Sequence, residues 1–483
     1  MRPSLARLRR TAGLTVLLLG AMPLRAVVRA EQCRTPTPAP AELLVAAGQS
    51  LLARHLDRPE GGWAWKSVIQ HPHLQTDRDV GTASVAMGLL AVWETTGDAA
   101  FLAAARRAGD WLLAVAEPIG NGLRWPDFHD PVRVSRTHFT SFDDGAPGIA
   151  DLLWRLGVAT GDARYTDAAL AAIEWEIARA ESAGPDGCPA RCRWHYTDDP
   201  SDGTVFTGMG QGIAGIAYAF DAFAERTGDQ RYESYAVGAA AYLETLITSD
   251  GALPEHPGTT EYNTGFLSGA AGDAFLFLRL AQRTGDARYR DDARRLLGWV
   301  AQQARPQPSG LAWPIQIDPV GGNNDLLATG IEEGAAGIGW VALQSYRAAG
   351  DPADLQIAIH AGDWLLAIAL DECGGKAWAE DAGGPLVHTS LDNGAPGIGW
   401  FLDDLWRATA VQAYRDGALG AATWIGATSR LDARGVYWSE NRRLTHWRLR
   451  REPSWHWGTA GIAAFMARLQ GWPVDMPGEE PAL

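Results

Sequence analysis

Apolar stretches of about four helical turns recur along the chain, and the same glycine pattern, G-x-x-G, precedes each of them. Clear copies are GAPGIAD at Gly145, GIAGIAY at Gly212, GAAGDAF at Gly269, GAAGIGW at Gly334, GAPGIGW at Gly394 and GTAGIAA at Gly458; a weaker one begins at Gly81. The later glycines of the six clear copies are 57 to 67 residues apart. The spacing predicts seven copies of one structural unit.

A second glycine pattern closes most of these stretches. Gly-Asp begins thirteen residues after the later glycine in four copies, and Gly97-Asp98 supplies it in the first. Glycine tolerates the left-handed conformation that ends a helix, and aspartate caps the helix that follows. Each unit is therefore predicted to be a hairpin of an apolar inner helix and an amphipathic outer helix, followed by a loop that ends in Gly-x-x-Trp.

Seven such hairpins predict an all-α fold with fourteen helices. The unit exceeds the usual solenoid repeat of roughly 20 to 50 residues. An open solenoid also needs polar capping units at its ends, whereas the last unit stops near Leu469. We predict an α/α toroid, a double-layered ring of inner and outer helices, over residues 40–472. A short mature segment at 31–39 precedes it, and a tail at 473–483 follows.

The first thirty residues have the pattern of a signal peptide. A basic start leads into an apolar run from Leu14 to Leu19, and Val28-Arg29-Ala30 resembles a cleavage site. The run is short for a membrane span. We expect a secreted or periplasmic protein without stable membrane insertion. Export makes disulfides available to the four cysteines, which allow three pairings that the sequence leaves open: Cys33, Cys188, Cys192 and Cys373.

The charge of the chain restricts its partners. A net charge of −15 at pH 7 argues against nucleic acid or an anionic membrane, because both require a basic surface. A peptide or a carbohydrate remains a suitable small substrate. The oligomeric state is not predicted.

Acidic residues stand directly before several inner helices. In a closed ring these positions meet at one mouth of the central cavity, toward which the positive ends of the helix dipoles point. Aspartate and asparagine there also serve as helix caps, but doubled acids exceed what one cap needs. Mutual repulsion raises the pKa of clustered acids into a catalytically useful range. The candidate catalytic residues are Asp143, Asp144, Glu332, Glu333, Asp392 and His456.

Other polar and aromatic residues near the same turns are candidates for substrate binding. They are Gln211, Asn393, His138, His388 and Trp457. Trp457, Trp340, Trp400 and Trp125 are candidate sugar platforms, although most of the 21 tryptophans repeat at one packing position. No nucleophile elbow, Walker A, HExxH or paired CxxC motif occurs in the sequence.

The G-x-x-G helices, Gly-Asp junctions and Gly-x-x-Trp loops together resemble the lanthionine synthetase C-like family over roughly residues 40–470. The resemblance implies an α/α toroid with two seven-helix layers. Cyclases of that family add a cysteine thiol to a dehydroalanine or dehydrobutyrine. They use a zinc ion held by a cysteine before the fifth G-x-x-G and a Cys-His pair before the sixth.

This sequence departs from the family at the zinc site. The three ligand positions fall on Glu332, Asp392 and Asn393, and Gln211 stands where the family has a further imidazole. We therefore expect no metal site and no cofactor, although the oxygen atoms could suit a hard cation. Thioether cyclisation by the family's usual mechanism is not expected.

Three functions are left open. The first is an exported LanC-like protein whose central cavity binds a peptide or another small substrate. The second is a carbohydrate-active toroid enzyme of the glycoside hydrolase type, which uses paired carboxylates. The third is a non-catalytic binding toroid.

Overall fold

Fourteen α-helices lie within the residues that the computed structural model describes, namely 33–67, 73–130, 134–439 and 452–473. The predicted signal peptide and all but the first residue of the predicted tail lie outside them. In chain order the helices are α1 (Pro40–Ala53), α2 (Thr82–Thr96), α3 (Ala99–Val115), α4 (Ala146–Thr160), α5 (Ala163–Arg179), α6 (Ile213–Thr227), α7 (Gln230–Glu244), α8 (Ala270–Thr284), α9 (Ala287–Gln303), α10 (Ala335–Ala349), α11 (Pro352–Ile368), α12 (Ala395–Thr409), α13 (Gln412–Thr428) and α14 (Thr459–Leu469).

Short antiparallel strands connect the helices. They are β1 (Leu56–Asp57), β2 (Trp63–Ala64), β3 (Glu117–Ile119), β4 (Gly122–Arg124), β5 (Glu181–Ser182), β6 (Cys192–Arg193), β7 (Tyr262–Asn263), β8 (Arg305–Gln307), β9 (Gly310–Ala312), β10 (Pro314–Ile317), β11 (Asn324–Leu327), β12 (Leu370–Glu372), β13 (Gly375–Ala377), β14 (Arg430–Asp432) and β15 (Gly435–Tyr437). Six hairpins pair β1 with β2, β3 with β4, β5 with β6, β8 with β9, β12 with β13 and β14 with β15, and a three-stranded sheet has the order β11, β10, β7.

The even-numbered helices α2 to α14 form the inner layer, and we number the units 1 to 7 after them. The later glycine of each signature is required by the turn before the inner helix. A Cβ atom on Gly148 would lie 2.0 Å from the carbonyl oxygen of Phe142, and one on Gly272 would lie 1.8 Å from that of Phe266. Glycine therefore lets this turn fold back onto the first turn of the helix.

The Gly-Asp junctions behave as the sequence predicts. Gly161 ends α4 in the left-handed conformation with a φ of 69°, and the Asp162 side chain accepts a hydrogen bond from the backbone N–H of Arg164. The same pair of roles recurs before α3, α7, α9 and α11. Before α13 the junction is Ala410-Val411, and Ala410 adopts a positive φ of 57°.

The repeated loop tryptophans cap the outer helices. The indole Nε1 of Trp125 donates to the carbonyl of Leu112 at 2.8 Å, and that of Trp378 donates to the carbonyl of Leu365 at 2.7 Å. Helix C-termini carry carbonyls without a partner inside the helix, so this bond satisfies one of them. Trp340 and Trp400 are fully buried on inner helices. The interpretation of Trp125, Trp340 and Trp400 as sugar platforms is therefore wrong, because their rings are enclosed by packing.

The ring is closed, as predicted. α14 packs against α2, which makes the last and first units neighbours, and α1 packs against α14. The helix before the first signature thus serves as the outer helix of the last unit. No glycine pattern precedes α1, so the sequence patterns did not reveal this pairing.

The four cysteines form two disulfides, Cys33 to Cys373 and Cys188 to Cys192, which is one of the three pairings that the sequence allows. The first ties the segment before α1 to the turn between β12 and β13. The backbone N–H of Arg34 also donates to the carbonyl of Ala427 at the end of α13. Among the residues placed in the structure, no helix is long and apolar enough to cross a membrane.

Candidate functional site

Seven turns, one before each inner helix, surround one mouth of the ring. We call the residue two places before the first glycine of each signature the mouth position, and the residue one place before it the rim position. In unit order the mouth positions are Asp79, Asp143, Gly210, Leu267, Glu332, Asp392 and His456. The rim positions are Val80, Asp144, Gln211, Ser268, Glu333, Asn393 and Trp457.

A ladder of backbone hydrogen bonds fixes the mouth positions. The N–H of Asp143 donates to the carbonyl of Gly210 at 3.1 Å, and the N–H of Gly210 donates to that of Leu267 at 2.9 Å. The pattern continues through all six junctions from Asp79 to His456. The mouth side chains are therefore held on a rigid frame rather than on independent loops.

His456 lies close to three of the other mouth residues. Its Nδ1 lies 3.0 Å from Oδ2 of Asp392 and 3.7 Å from Oδ1 of Asp79, and its Nε2 lies 3.9 Å from Oδ1 of Asp143. Burial lowers the pKa of His456, but the carboxylates of Asp392, Asp79 and Asp143 outweigh burial and hold it well above its usual value. These carboxylates therefore favour the protonated form of the side chain, the imidazolium.

Arg78 is the second cation of the mouth. It is fully buried, its Nη1 lies 3.3 Å from Oδ1 of Asp143, and its guanidinium lies over the ring of Phe142 at 4.7 Å. Its neighbour Asp77 accepts hydrogen bonds from the N–H groups of Val80 and Gly81. Burial, followed by the charge of Asp144, raises the pKa of Asp77 to about 8.

The residues of unit 1 were missed by the sequence analysis. Asp79 stands at the mouth position when the register is counted from Gly81, and Asp77 and Arg78 come with it. The weak signature, in which Ser84 replaces the later glycine, identified the unit. Counting two residues back from Gly81, as in the other units, would have found Asp79.

Asp144 and Glu333 occupy rim positions and have raised pKa values. Tyr196 donates to Oδ2 of Asp144 at 2.9 Å, and burial, followed by the charge of Asp143, raises the pKa of Asp144 to about 6. The backbone N–H of Ser268 donates to Oε1 of Glu333 at 3.0 Å. Burial raises the pKa of Glu333 to about 7.

Glu332 has the strongest tendency to keep its proton among the predicted catalytic acids. Burial, followed by the charges of Asp392 and Glu333, raises its pKa well above the usual range. The side-chain amide of Asn393 donates to Oε2 of Glu332 at 3.1 Å. All six predicted catalytic residues thus stand at mouth or rim positions, with Asp143, Asp392 and His456 buried.

These residues do not fit the zinc ion of the family. Two of its three ligand positions, Glu332 and Asn393, hydrogen-bond each other, and an amide nitrogen has no lone pair to offer a metal. No thiolate is present, since all four cysteines form disulfides. A different trio, Asp79, Asp392 and His456, places one donor atom each within 4.8 Å of the others. Nδ1 of His456 faces Asp392 and Asp79, so a proton on this nitrogen would stand where a cation bound by the trio would lie.

The two upstream histidines have partners of their own. His138 lies with Nδ1 3.2 Å from Asp198 and Nε2 3.0 Å from Glu117. His388 has Nε2 3.3 Å from Glu380, and its ring packs edge-on against Trp457 at 6.4 Å between centroids. Neither is at a mouth position. Gln211, Asn393 and Trp457 do stand on the rim, and Gln211 is exposed to solvent.

The acids cover only part of the mouth. Units 3 and 4 carry Gly210 and Leu267 at their mouth positions. A cleft of about 100 Å³ opens beside them, and its walls include Phe206, Gln211, Glu255, Ser268 and Glu332. We call it the recess.

The fold is similar to that of known sugar enzymes. D-mannose isomerase shares 13% identity with this chain at a TM-score of 0.54, over 88% of this chain and 96% of the isomerase. Cellobiose 2-epimerase from Spirochaeta thermophila DSM 6192 shares 14% identity at a TM-score of 0.51, over 79% of this chain and 96% of the epimerase. At such identities the likeness concerns the fold alone.

No curated protein matches the sequence. The family model described as "Lanthionine synthetase C-like protein" matches residues 204–472, which is more than half of the chain. Together with the closed ring of seven hairpins, this match establishes that the chain belongs to the lanthionine synthetase C-like protein family.

Proposed function

We propose that this LanC-like protein is a carbohydrate-active enzyme that hydrolyses glycosidic bonds with paired carboxyl groups at the toroid mouth. One observation carries the proposal: two mouth acids have environments of opposite character. Glu332 is half-buried beside Asp392 and Glu333, which favours its protonated form, whereas Asp143 forms an ion pair with Arg78. Carboxyl groups whose environments differ in this way are suited to separate acid and base roles.

In the proposed reaction Glu332 is the general acid. Its carboxyl proton passes to the glycosidic oxygen as the bond from that oxygen to the anomeric carbon breaks. The Asp143 carboxylate takes a proton from a water molecule whose oxygen bonds to the anomeric carbon. Exchange of one proton through solvent then restores both groups. The His456 imidazolium and Arg78 orient the Asp143 carboxylate.

The charge of the mouth disfavours the thiol chemistry of the family's cyclases. Asp79, Asp143 and Asp392 each lie within 4 Å of the His456 ring at the mouth, where the family's cyclases bind their substrate thiol beside zinc. Nearby carboxylates raise the pKa of a thiol, whereas a cation or a metal lowers it. A thiolate would therefore be poorly populated here. A peptide ligand, which family membership favours, is the second candidate, and it requires binding without this activation step.

The proposed function is tested by hydrolysis assays on a panel of aryl glycosides and oligosaccharides, with reducing ends as the readout. We expect Glu332→Gln and Asp143→Asn each to lower kcat by about 100-fold or more. Asp229→Asn is the matched control, since Asp229 caps outer helix α7 and asparagine can also cap. Activity should fall as pH rises through the raised pKa of Glu332.

Two results would overturn the proposal. One is full activity in both acid variants, and the other is the absence of hydrolysis of every glycoside by the folded wild-type protein. Binding of a peptide at the mouth in the second case would favour the second candidate.

We also propose that the protein is exported. All four cysteines are paired, and disulfides persist in oxidising compartments. Mass spectrometry of the protein recovered from the extracellular or periplasmic fraction tests this, with a start near Glu31 as the expected result. Recovery of the reduced protein from the cytosol alone would contradict it.

A further inference from the structure

Resting on the proposed function, we infer that the recess between units 3 and 4 is the subsite for one pyranose ring of the substrate. Phe206 supplies the stacking face, and Gln211 and Glu255 bind the ring hydroxyls. None of these roles follows from the zinc site of the family, which lies in units 5 and 6.

Gly210 stands against the side chains of Asp143 and Leu267, where there is no room for a side chain of its own. A Cβ atom there would lie 2.6 Å from Oδ2 of Asp143 and 2.7 Å from Cγ of Leu267. Five of the other six mouth positions carry an acid or an imidazole. Unit 3 therefore adds no side chain of its own to the mouth beside Asp143.

Phe206, which lines the recess, belongs to a row of half-buried aromatic rings. The ring of Phe206 meets that of Tyr196 edge to face at 5.1 Å, and Tyr196 lies 4.8 Å from Phe139. On its other side Phe206 lies 4.5 Å from the imidazole of His256. These contacts hold the Phe206 ring in place before any ligand arrives. The apolar face of a pyranose packs well on such a fixed ring.

Polar residues also line the recess. Gln211 is exposed at the rim, and its side-chain amide carries both donor and acceptor atoms. Within the part of the chain that the structure describes, no hydrogen bond is formed by the Glu255 carboxylate. An amide and a carboxylate together can accept from and donate to neighbouring hydroxyls. Vicinal hydroxyls are a property of sugars rather than of peptide side chains.

One proposed catalytic acid lines the recess, and the other lies against the residue that precedes Gln211. Glu332 is part of its wall, and Gly210, whose missing side chain faces Asp143, immediately precedes Gln211. Tyr196, which packs on Phe206, donates to the neighbouring Asp144. A ring bound on Phe206 would therefore have its glycosidic oxygen beside the acidic part of the mouth.

The test uses saturation-transfer difference NMR with D-mannose, cellobiose and chitobiose as probes, since this readout needs no turnover. We expect at least one probe to bind both the wild type and Glu332→Gln. Gln211→Trp, which fills the recess from an exposed position, and Phe206→Leu, which removes the flat ring, should each weaken binding by about tenfold or more. Gln356→Trp on the exposed surface of α11 is the matched control.

The outcomes separate this inference from the proposed function. Sugar binding that is lost in Gln211→Trp, without hydrolysis by the wild type, supports the subsite and contradicts the hydrolase. Hydrolysis whose KM is unchanged in Gln211→Trp and Phe206→Leu supports the hydrolase and overturns the subsite. Failure of all three probes to bind the wild type also overturns the subsite.

Discussion

Nδ1 of His456 lies 3.0 Å from Oδ2 of Asp392, although the two residues belong to different repeats and are 64 positions apart. Both side chains are buried, and both stand at the mouth position of their unit. The contact joins units 6 and 7 through side chains, in parallel with the backbone ladder. It also fixes the orientation of the imidazole, so that Nε2 faces Asp143.

Replacing Asp392 by asparagine should lower the pKa of His456. The carboxylate of Asp392 is the largest of the effects that raise this pKa, and burial opposes it. Titration of the imidazole by NMR measures the change. Glu380→Gln, which alters the partner of His388, is the control and should leave His456 unaffected. If the pKa of His456 is the same in Asp392→Asn as in the wild type, Asp392 is not the residue that raises it.

The stability conferred by the contact between His456 and Asp392 should depend on pH. A histidine whose pKa is raised on folding contributes its full stabilisation below the unfolded value, near 6.5, and loses it as pH rises through the folded value. The difference in free energy of unfolding between wild type and Asp392→Asn should therefore be larger at pH 6 than above the raised pKa. Urea unfolding at a series of pH values tests this.

Asp273→Ile should stabilise the protein by about 1 to 3 kcal/mol. Asp273 is fully buried on α8, and neither of its carboxyl oxygens accepts a hydrogen bond from any residue placed in the structure. Five other units have isoleucine at this place: Ile149, Ile216, Ile338, Ile398 and Ile462. Chemical denaturation measures the gain, and the reverse change, Ile338→Asp, should be destabilising.

Burial raises the pKa of Asp273 well above its usual value. The wild type should therefore lose stability as pH rises through that value, because the folded state then has to bury a charge. Asp273→Ile should lack this loss. A variant that unfolds more easily than the wild type would instead assign Asp273 a role that its contacts do not reveal.

Purified protein should contain no stoichiometric zinc at neutral pH. The family's ligand positions carry Glu332, Asp392 and Asn393, and His456 binds a proton where the nearby trio could bind a cation. Elemental analysis and unfolding with and without EDTA are the measurements. One zinc ion per chain, lost in His456→Ala and kept in His388→Ala, would reassign the mouth as a metal centre.

Replacing Cys33 and Cys373 by serine should cost about 2 to 4 kcal/mol of stability, because this disulfide closes a long loop in the unfolded chain. The bond spans 340 residues, whereas Cys188 and Cys192 are only four apart. The Cys188 and Cys192 double serine variant is the matched control and should cost less. Equal losses of thermal stability would contradict this account.

The layers of the fold could be predicted because backbone geometry demands the glycines that mark them. Gly148 has no room for a Cβ atom, and Gly161 adopts a left-handed conformation. Such requirements leave the same residue in most copies, with Ser84 and Ala410 among the exceptions. α1 fulfils no such requirement, and only its packing against α14 reveals its place in the ring.

The site was predicted less completely for a related reason. Counting back from the glycines found the acids of units 2, 5 and 6, but Asp79 was missed because its unit has an irregular signature. Phe206 and Tyr196 lie in loops of variable length, so no register relates them to the mouth. Tryptophans were more conspicuous in the sequence, yet their indole groups serve helix capping and packing.

The pairing of α1 with α14 determines when the protein can finish folding. α1 is among the first described parts of the chain to be synthesised, and α14 is the last helix that the structure describes. The apolar residues Leu43, Leu44 and Leu51 of α1 are almost completely enclosed in the finished ring. Until the final unit emerges from the ribosome, that face has no complete surface to cover it. Every nascent chain that lacks α14 therefore leaves this face of α1 incompletely covered, and the ring can close only after α14 has been synthesised.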